Sequence, residues 1–437
     1  MVYIRGDSIL VQRMDGGALT LVARVPPQPH SVAWSPNGAR LAYVQGNGDF
    51  IRAETLGNIA PSAIWIVDVD GGEPVEVTEH LSLNVSPAWL PDGRHLMFIS
   101  NRDGPRDLYV VEVDGSGRPK REPVAVTVGL DPHSVSVSAD GSTAAYSKFT
   151  LRRNVWEVAV PASGSVSISQ GRQVTIGNQI VESHRVSPDG QWFAYDSNLE
   201  GNQDIFIQPI EGGEPRQLTT DPGDDFIPDF SPDGREIAFF SMRHGNRDLF
   251  LIGADGNNEL RLTDDPREEH HPSFSPDGLR IAYYVTGNPN QVWVMNRESV
   301  GAEWSSPQQL TQGGGVHPRW SLDGRRILYA LANVIGVVTL DGEETRLLDG
   351  AVAGFVGVAK PDWSRDGRVI YFSATRSDGS QGLYSMPAAG GEPRLLIRYD
   401  DPARQVFVYG FSVGDGKVYL TVSEFESDIY VMDLAIN

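Results

Sequence analysis

Six of the nine histidines in this chain stand at one recurring place. His30, His133, His184, His270, His271 and His317 each lie within five residues before a short turn phrase, and acidic residues join them at Asp131, Glu182, Asp224, Asp225, Glu268 and Glu269. Neutral imidazole and carboxylate oxygen are good ligands for Zn, Mn and similar ions, so His270, His271 and His317 could hold a divalent metal, or the wider set a cationic group. The competing reading is structural. A polar residue caps the strand that follows, and dipeptides such as His271-Pro272 and His317-Pro318 are then ordinary wording for a repeat.

The phrase that sets these positions is Trp34-Ser35-Pro36-Asn37-Gly38, Ser187-Pro188-Asp189-Gly190, Phe230-Ser231-Pro232-Asp233-Gly234 and Phe274-Ser275-Pro276-Asp277-Gly278. Looser copies begin at Leu90, Ser138, Ser321, Ser364 and Ser412, which makes nine, spaced on average about 47 residues apart, a period of the propeller size class. In each copy a short strand enters a tight turn, because Pro fixes φ and Gly accepts φ > 0. A β-rich run follows, such as Ile237-Ala238-Phe239-Phe240, then a polar loop and a third run such as Leu249-Phe250-Leu251. A second turn, written Gly212-Gly213-Glu214-Pro215 and Gly390-Gly391-Glu392-Pro393, leads to a fourth short strand. Four strands per repeat, with no sustained 3.6-residue apolar period, predict an all-β protein built of propeller blades.

The expected fold is a single closed β-propeller over residues 1–437 with nine four-stranded blades, eight being the alternative. Residues 31–405 supply eight full repeats, 406–437 a last incomplete one, and residues 1–30 the closing strands. In that scheme Leu19-Thr20-Leu21-Val22 completes the last blade and removes exposed sheet edges, while Ser8-Ile9-Leu10-Val11-Gln12 is surplus. First-to-second and third-to-fourth turns share one face. The opposite face collects the second-to-third loops and the strand entrances around the channel, and so carries the candidate residues.

Composition narrows the function. Forty-seven glycines and 29 prolines suit a turn-rich chain, and 40% hydrophobic residues can bury a large core. A net charge of −21, from 36 basic and 57 acidic residues, argues against nucleic acid and anionic membranes. Without cysteine there is no disulfide, thiolate site or Cys nucleophile. No apolar run reaches the roughly 18 residues of a membrane span, and the first residues lack a signal-peptide core. A soluble, cytoplasmic monomer is expected, or a periplasmic or extracellular one if the chain is a processed fragment.

Other motifs are weaker. Gly410-Phe411-Ser412-Val413-Gly414 has the Gly-x-Ser-x-Gly form but lies in a β-repeat with no His after it. Asp107, Asp204, Asp248 and Asp428 read as Asx-turn residues, and Asp68-Val69-Asp70-Gly71 as a hairpin turn lacking the ligands of a calcium loop. Arg102, Arg106, Arg243, Arg247 and His244 in the second-to-third loops could recognise an acidic polymer, but read first as solvated turn residues.

The Phe-Ser-Pro-Asp-Gly turns, the Ser100-Asn101-Arg102-Asp103-Gly104 loop and the Arg106-Asp107-Leu108-Tyr109-Val110 strand entry resemble the TolB-like, WD40-like (PD40) propeller repeat. The resemblance implies the propeller fold and, by similarity to TolB-type propellers, a non-enzymatic module that binds a protein, peptide or other ligand at the channel mouth. Peptidases that carry such repeats add a catalytic domain, which these residues do not show. The alternative, by similarity to oligogalacturonate and ulvan lyase propellers, is a metal-dependent polysaccharide lyase or hydrolase using a His/carboxylate site at the same mouth. No cofactor is required by the first reading, and a divalent metal by the second.

Overall fold

The turn phrase works through one set of hydrogen bonds. In the computed structural model, Ser231 Oγ donates to Asp233 Oδ1 (2.7 Å) and accepts from the Glu236 amide (2.9 Å), while Asp233 Oδ1 also accepts from the Arg235 amide. The same bonds recur around Ser187, Ser275, Ser321 and Ser364, and around Ser35 with Asn37 as the acceptor. Pro supplies the fixed φ, and in all nine copies the glycine sits in the left-handed region, at φ between +65° and +74°. The hydroxyl and carboxylate satisfy backbone donors that the tight turn leaves without a ladder partner.

The structure describes residues 1–25, 29–47 and 60–434, so parts of the expected closing segment (26–28) and of the last repeat (435–437) lie outside it. The described residues form nine sheets, mostly of four antiparallel strands, and no helix long and apolar enough to cross a membrane. Contacts divide the chain into two compact units, residues 1–151 with 425–437 and residues 152–424. The chain passes between them twice, inside the 17-residue strands Thr143–Ala159 and Lys417–Asp433.

Unit 1 contains a three-stranded sheet (Val2–Arg5, Ser8–Val11, Thr20–Arg24), two four-stranded sheets, and a sheet that begins at Ser134–Val137. Unit 2 holds five further sheets, whose first strands are His184–Val186, Asp225–Phe230, Glu269–Phe274, Val316–Trp320 and Phe355–Trp363, and also Arg404–Val413, which belongs to the same sheet as Ser134–Val137 through the two long strands. Each first strand packs beside the next, and Arg404–Val413 packs beside His184–Val186. Between sheets lie apolar clusters, for example Ile205, Ile207, Phe230, Ile237, Phe239 and Phe250, whose burial is the main favourable term.

Two strand readings need correction. The N-terminal strand does not complete the last repeat: Thr20–Arg24 pairs with Ser8–Val11, so the strand that seemed surplus belongs to the N-terminal sheet. Within unit 2, residues 404–413 pair with 417–424, and residues 152–159 and 172–173 supply the outer strands of that sheet. The reason is local. No Gly or Pro stands between Ser142 and Val160 or after Gly416, so nothing breaks these stretches into the two strands expected of each.

Ser231 is 1% exposed, so Ser231→Ala leaves the Glu236 amide buried and unpaired. The expected loss is about 1–3 kcal/mol, read as a lower urea midpoint at unchanged m-value, whereas the exposed Arg235→Ala leaves the midpoint in place.

Candidate functional site

Five of the first strands in the two units carry the same irregularity as Glu269–Phe274. There, His270 pairs with Tyr284 and Ser273 with Ala282, so His271-Pro272 together oppose the single residue Tyr283. Equivalent bulges place Ser31-Val32 opposite Tyr43, Ser86-Pro87 opposite Phe98, Ile227-Pro228 opposite Phe239, His317-Pro318 opposite Tyr329 and Lys360-Pro361 opposite Phe372. The first bulge residue is left-handed each time, at φ 50° for Ser31, 52° for Ser86, 57° for Ile227, 52° for His271, 54° for His317 and 42° for Lys360. Proline is tolerated after it because the extra residue needs no ladder donor. The bulge belongs to the repeat, since even β-branched Ile227 accepts a conformation that costs roughly 1–2 kcal/mol.

Two residues before the turn serine, charged side chains from four sheets of unit 2 meet. Arg185 reaches Asp229 (Nε to Oδ1, 3.0 Å) and Asp362 (Nη1 to Oδ2, 2.6 Å), and Arg319 Nη1 donates to Asp229 Oδ1 at 2.9 Å. Asp229 Oδ2 accepts from the Phe274 amide of a further sheet. All four side chains are buried. Burial pushes Asp229 up to about 6, against the pull of Arg185.

Beside this network sit His271, His317 and Lys360. The His271 and His317 rings meet edge to face with centroids 4.3 Å apart, and Tyr284 lies 5.4 Å from the first and 6.0 Å from the second. His317 is half-buried and faces Tyr409 at 5.3 Å, which is 43% exposed and forms the outer wall. Nδ1 of both imidazoles is enclosed without a hydrogen-bond partner. Burial holds His271 well below the usual histidine range and brings His317 to about 3, with Lys360 adding to both shifts. Lys360 is 1% exposed, and its Nζ lies 3.3 Å from Ser183 Oγ.

The remaining predicted residues go elsewhere. His30 and His133 belong to unit 1. There His30 is buried between Ser31 Oγ and the Gly46 carbonyl, each at 2.9 Å, and His133 lies 5.8 Å from the Phe149 ring. In unit 2, His184 is fully buried with Nδ1 3.3 Å from Thr421 Oγ1. His270 stacks on Tyr284 at 4.7 Å and turns its Nε2 to Arg247 (3.4 Å) and Glu268 (3.7 Å), which pair with each other at 2.8 Å. Glu182 lies 3.6 Å from Arg153, and Asp224 accepts from the Gln203 amide. Asp225 and Glu269 are buried within their own sheets, on Arg243 and Thr263 respectively; burial raises Asp225 to about 6 and Glu269 to about 8. Strand alternation explains this, since neighbours such as Glu269 and His270 face opposite sides.

Thus the structure brings His271 and His317 together and turns His270 aside. Among the described residues, no group of three or more His, Asp or Glu side chains could hold a metal ion, so the expected set His270, His271 and His317 does not converge on one point. The Gly-x-Ser-x-Gly phrase is structural: a Cβ on Gly410 would stand 2.4 Å from Thr421 Oγ1, and Ser412 is 1% exposed. A cleft of about 730 Å³ on the turn side of unit 2 is lined by Asp277, Asp323 and Asp341 among others, but these carboxylates already serve Ser275, Ser321 and Thr339.

Lys360, Arg185, Asp229, Arg319 and Asp362 were missed by a search that followed histidine. The signal was available: Lys360 precedes Ser364 by the same four residues that separate His271 from Ser275 and His317 from Ser321, and the four charged residues each stand two before their turn residue.

A family model described as the TolB beta propeller domain (PD40) matches residues 3–171 and 169–354. The chain is 38% identical over 81 residues to the Tol-Pal system protein TolB of Syntrophus aciditrophicus, covering 18% of this chain and 16% of that protein. It is 26% identical over 199 residues to the uncharacterized peptidase YuxL of Bacillus subtilis, covering 39% and 30%. The matched stretches therefore span less than a third of either relative. Among solved structures, TolB from Acinetobacter baumannii is similar at 18% identity, 82% and 65% coverage and a TM-score of 0.30. An oligogalacturonate lyase in complex with manganese is similar at 15% identity, 77% and 88% coverage and a TM-score of 0.37.

Burial, with Arg185 adding to it, lowers Lys360 to about 7, whereas an unfolded lysine stays protonated to about 10.4. The cost of carrying this cation is therefore full below pH 7 and relieved as pH rises from 7 toward 10. Lys360→Met should stabilise unit 2 at pH 6 by an amount on the order of 1–4 kcal/mol, with the gain shrinking by pH 9. Denaturation midpoints at both pH values check this, and a variant less stable than the parent at pH 6 contradicts it.

Proposed function

This chain belongs to the TolB β-propeller (PD40) family, and from that premise we propose that it is a non-enzymatic binding module that recognises a protein or peptide at the mouth of unit 2 opposite its turns. In this reading unit 2 closes as a ring of six four-stranded blades instead of joining a single ring of nine, because its last first strand neighbours its first one. The strands within 152–159 and 172–173 complete the final blade.

One observation carries the proposal. Where the first strands converge, a buried ion network lies beneath a wall of His271, His317, Tyr284 and Tyr409, with Tyr409 reaching solvent. Aromatic side chains with polar edges, set over a buried ion network, suit recognition. They do not suit bond cleavage, since among the described residues Ser412 is enclosed and faces no base. A docking role also fits relatives named as Tol-Pal system proteins.

The test compares two faces. A partner captured by the full chain should bind at least tenfold more weakly to His317→Ala/Tyr409→Ala and unchanged to Arg325→Ala on the turn side; the reverse order sinks the proposal. Elemental analysis before and after chelator tests the lyase alternative. Little bound metal is expected, and near-stoichiometric metal lost in His271→Ala would favour the enzyme.

A further inference from the structure

We propose that the mouth of unit 2 binds a carboxylate carried by a peptide, with the Lys360 ammonium as its counter-ion and Ser183, His271 and His317 as hydrogen-bond donors. This rests on the binding-module reading above and names the chemistry that the ligand must bring.

Arg185 and Arg319 are paired with the buried carboxylates Asp229 and Asp362, and Lys360 beside them is paired with neither. Both carboxylates are already taken, Asp362 by Arg185 and the Trp363 amide, and Asp229 by Arg185, Arg319 and the Phe274 amide. A third carboxylate, Asp196, accepts from the amides of Glu182, Ser183 and Ile227, and burial raises it to about 7. Among the described residues no carboxylate stands within ion-pairing distance of Lys360 Nζ, whose partner is the neutral Ser183 hydroxyl at 3.3 Å. A buried ammonium without an anion is costly, and proteins keep one where a ligand or a reaction uses it.

The neighbouring rings share the deficit. His271 and His317 each enclose an Nδ1 that meets no protein partner, and leaving a buried ring nitrogen unpaired is costly. In the Nδ1–H tautomer both are donors lacking an acceptor. One ammonium without an ion-pair partner and a few neutral donors match a monoanion, and a carboxylate is the monoanion that peptides carry at an acidic side chain or C-terminus. A divalent cation would be repelled by that ammonium. Tyr284 and Tyr409 supply an apolar flank for the chain that bears the carboxylate.

The test is a titration of the full chain, labelled with carbon-13 in its histidine rings, with acetyl-trialanine, its C-terminal amide and sodium acetate. Signals are assigned with His271→Gln and His317→Gln. The free acid should shift both signals, the amide should bind at least tenfold more weakly, and Lys360→Met should weaken the acid at least tenfold while Lys360→Arg retains it. Calorimetry at pH 8 in two buffers of different ionisation enthalpy should show proton uptake that Lys360→Met loses, because pairing with an anion favours the ammonium. A melt of each variant guards against misfolding. Acid and amide binding equally would overturn the carboxylate and leave the peptide-binding mouth standing. Acetate matching the peptide would keep the carboxylate and overturn the peptide source. No shift with any of the three overturns the inference, while partner capture still decides the broader reading.

Discussion

Bulk water cannot solvate side chains that point into the centre of unit 2, and what stands there follows from that constraint. Arg185, Asp229, Arg319 and Asp362 come from four sheets, and each is buried only because the others meet it. Removing one partner from such a network strands a charge, at a cost of about 3–5 kcal/mol. The network therefore acts as a registration device: Asp229 also takes the Phe274 amide, which ties a fifth first strand to the same centre. Apolar clusters between sheets supply most of the cohesion, but they are less directional and would tolerate small slips that the ion pairs do not.

The next layer shows how a repeat separates scaffold from chemistry. A left-handed bulge opposite a buried aromatic recurs with Ser31, Ser86, Ile227, His271, His317 and Lys360 in the same role. The backbone device is constant, and the side chain it presents is free to vary. In unit 2 those choices place two imidazoles and a lysine near the paired charges, in surroundings that disfavour all three charged forms. A fold under selection for stability alone would put Met or Leu at position 360; a lysine there forgoes stability.

Much of this was legible in the residues. The turn phrase determined its own conformation, because Ser, Pro, Asp and Gly each meet a local demand of one tight turn. Alternating apolar runs between such turns determined the strands, and together they carried the family. The shared offset from the turn also placed His271 and His317 in equivalent positions, which the structure turns into contact at 4.3 Å. The uninterrupted strands Thr143–Ala159 and Lys417–Asp433 were readable too, had the lack of Gly and Pro within them been weighed against the expected four-strand rhythm.

What the tertiary structure alone decided is which distant segments pair and which charges meet. Residues 152–159 and 172–173 complete a sheet with strands more than 200 positions later at Arg404, and Arg185 finds Asp362 across 177 positions. Local patterns report how one strand is buried and where it turns. They do not report which sheet lies beside it, because that depends on the packing of the whole unit. Lys360 is the sharpest case. In the sequence it is one lysine before a proline, and only the convergence of several strands removes its water and leaves its charge without an anion.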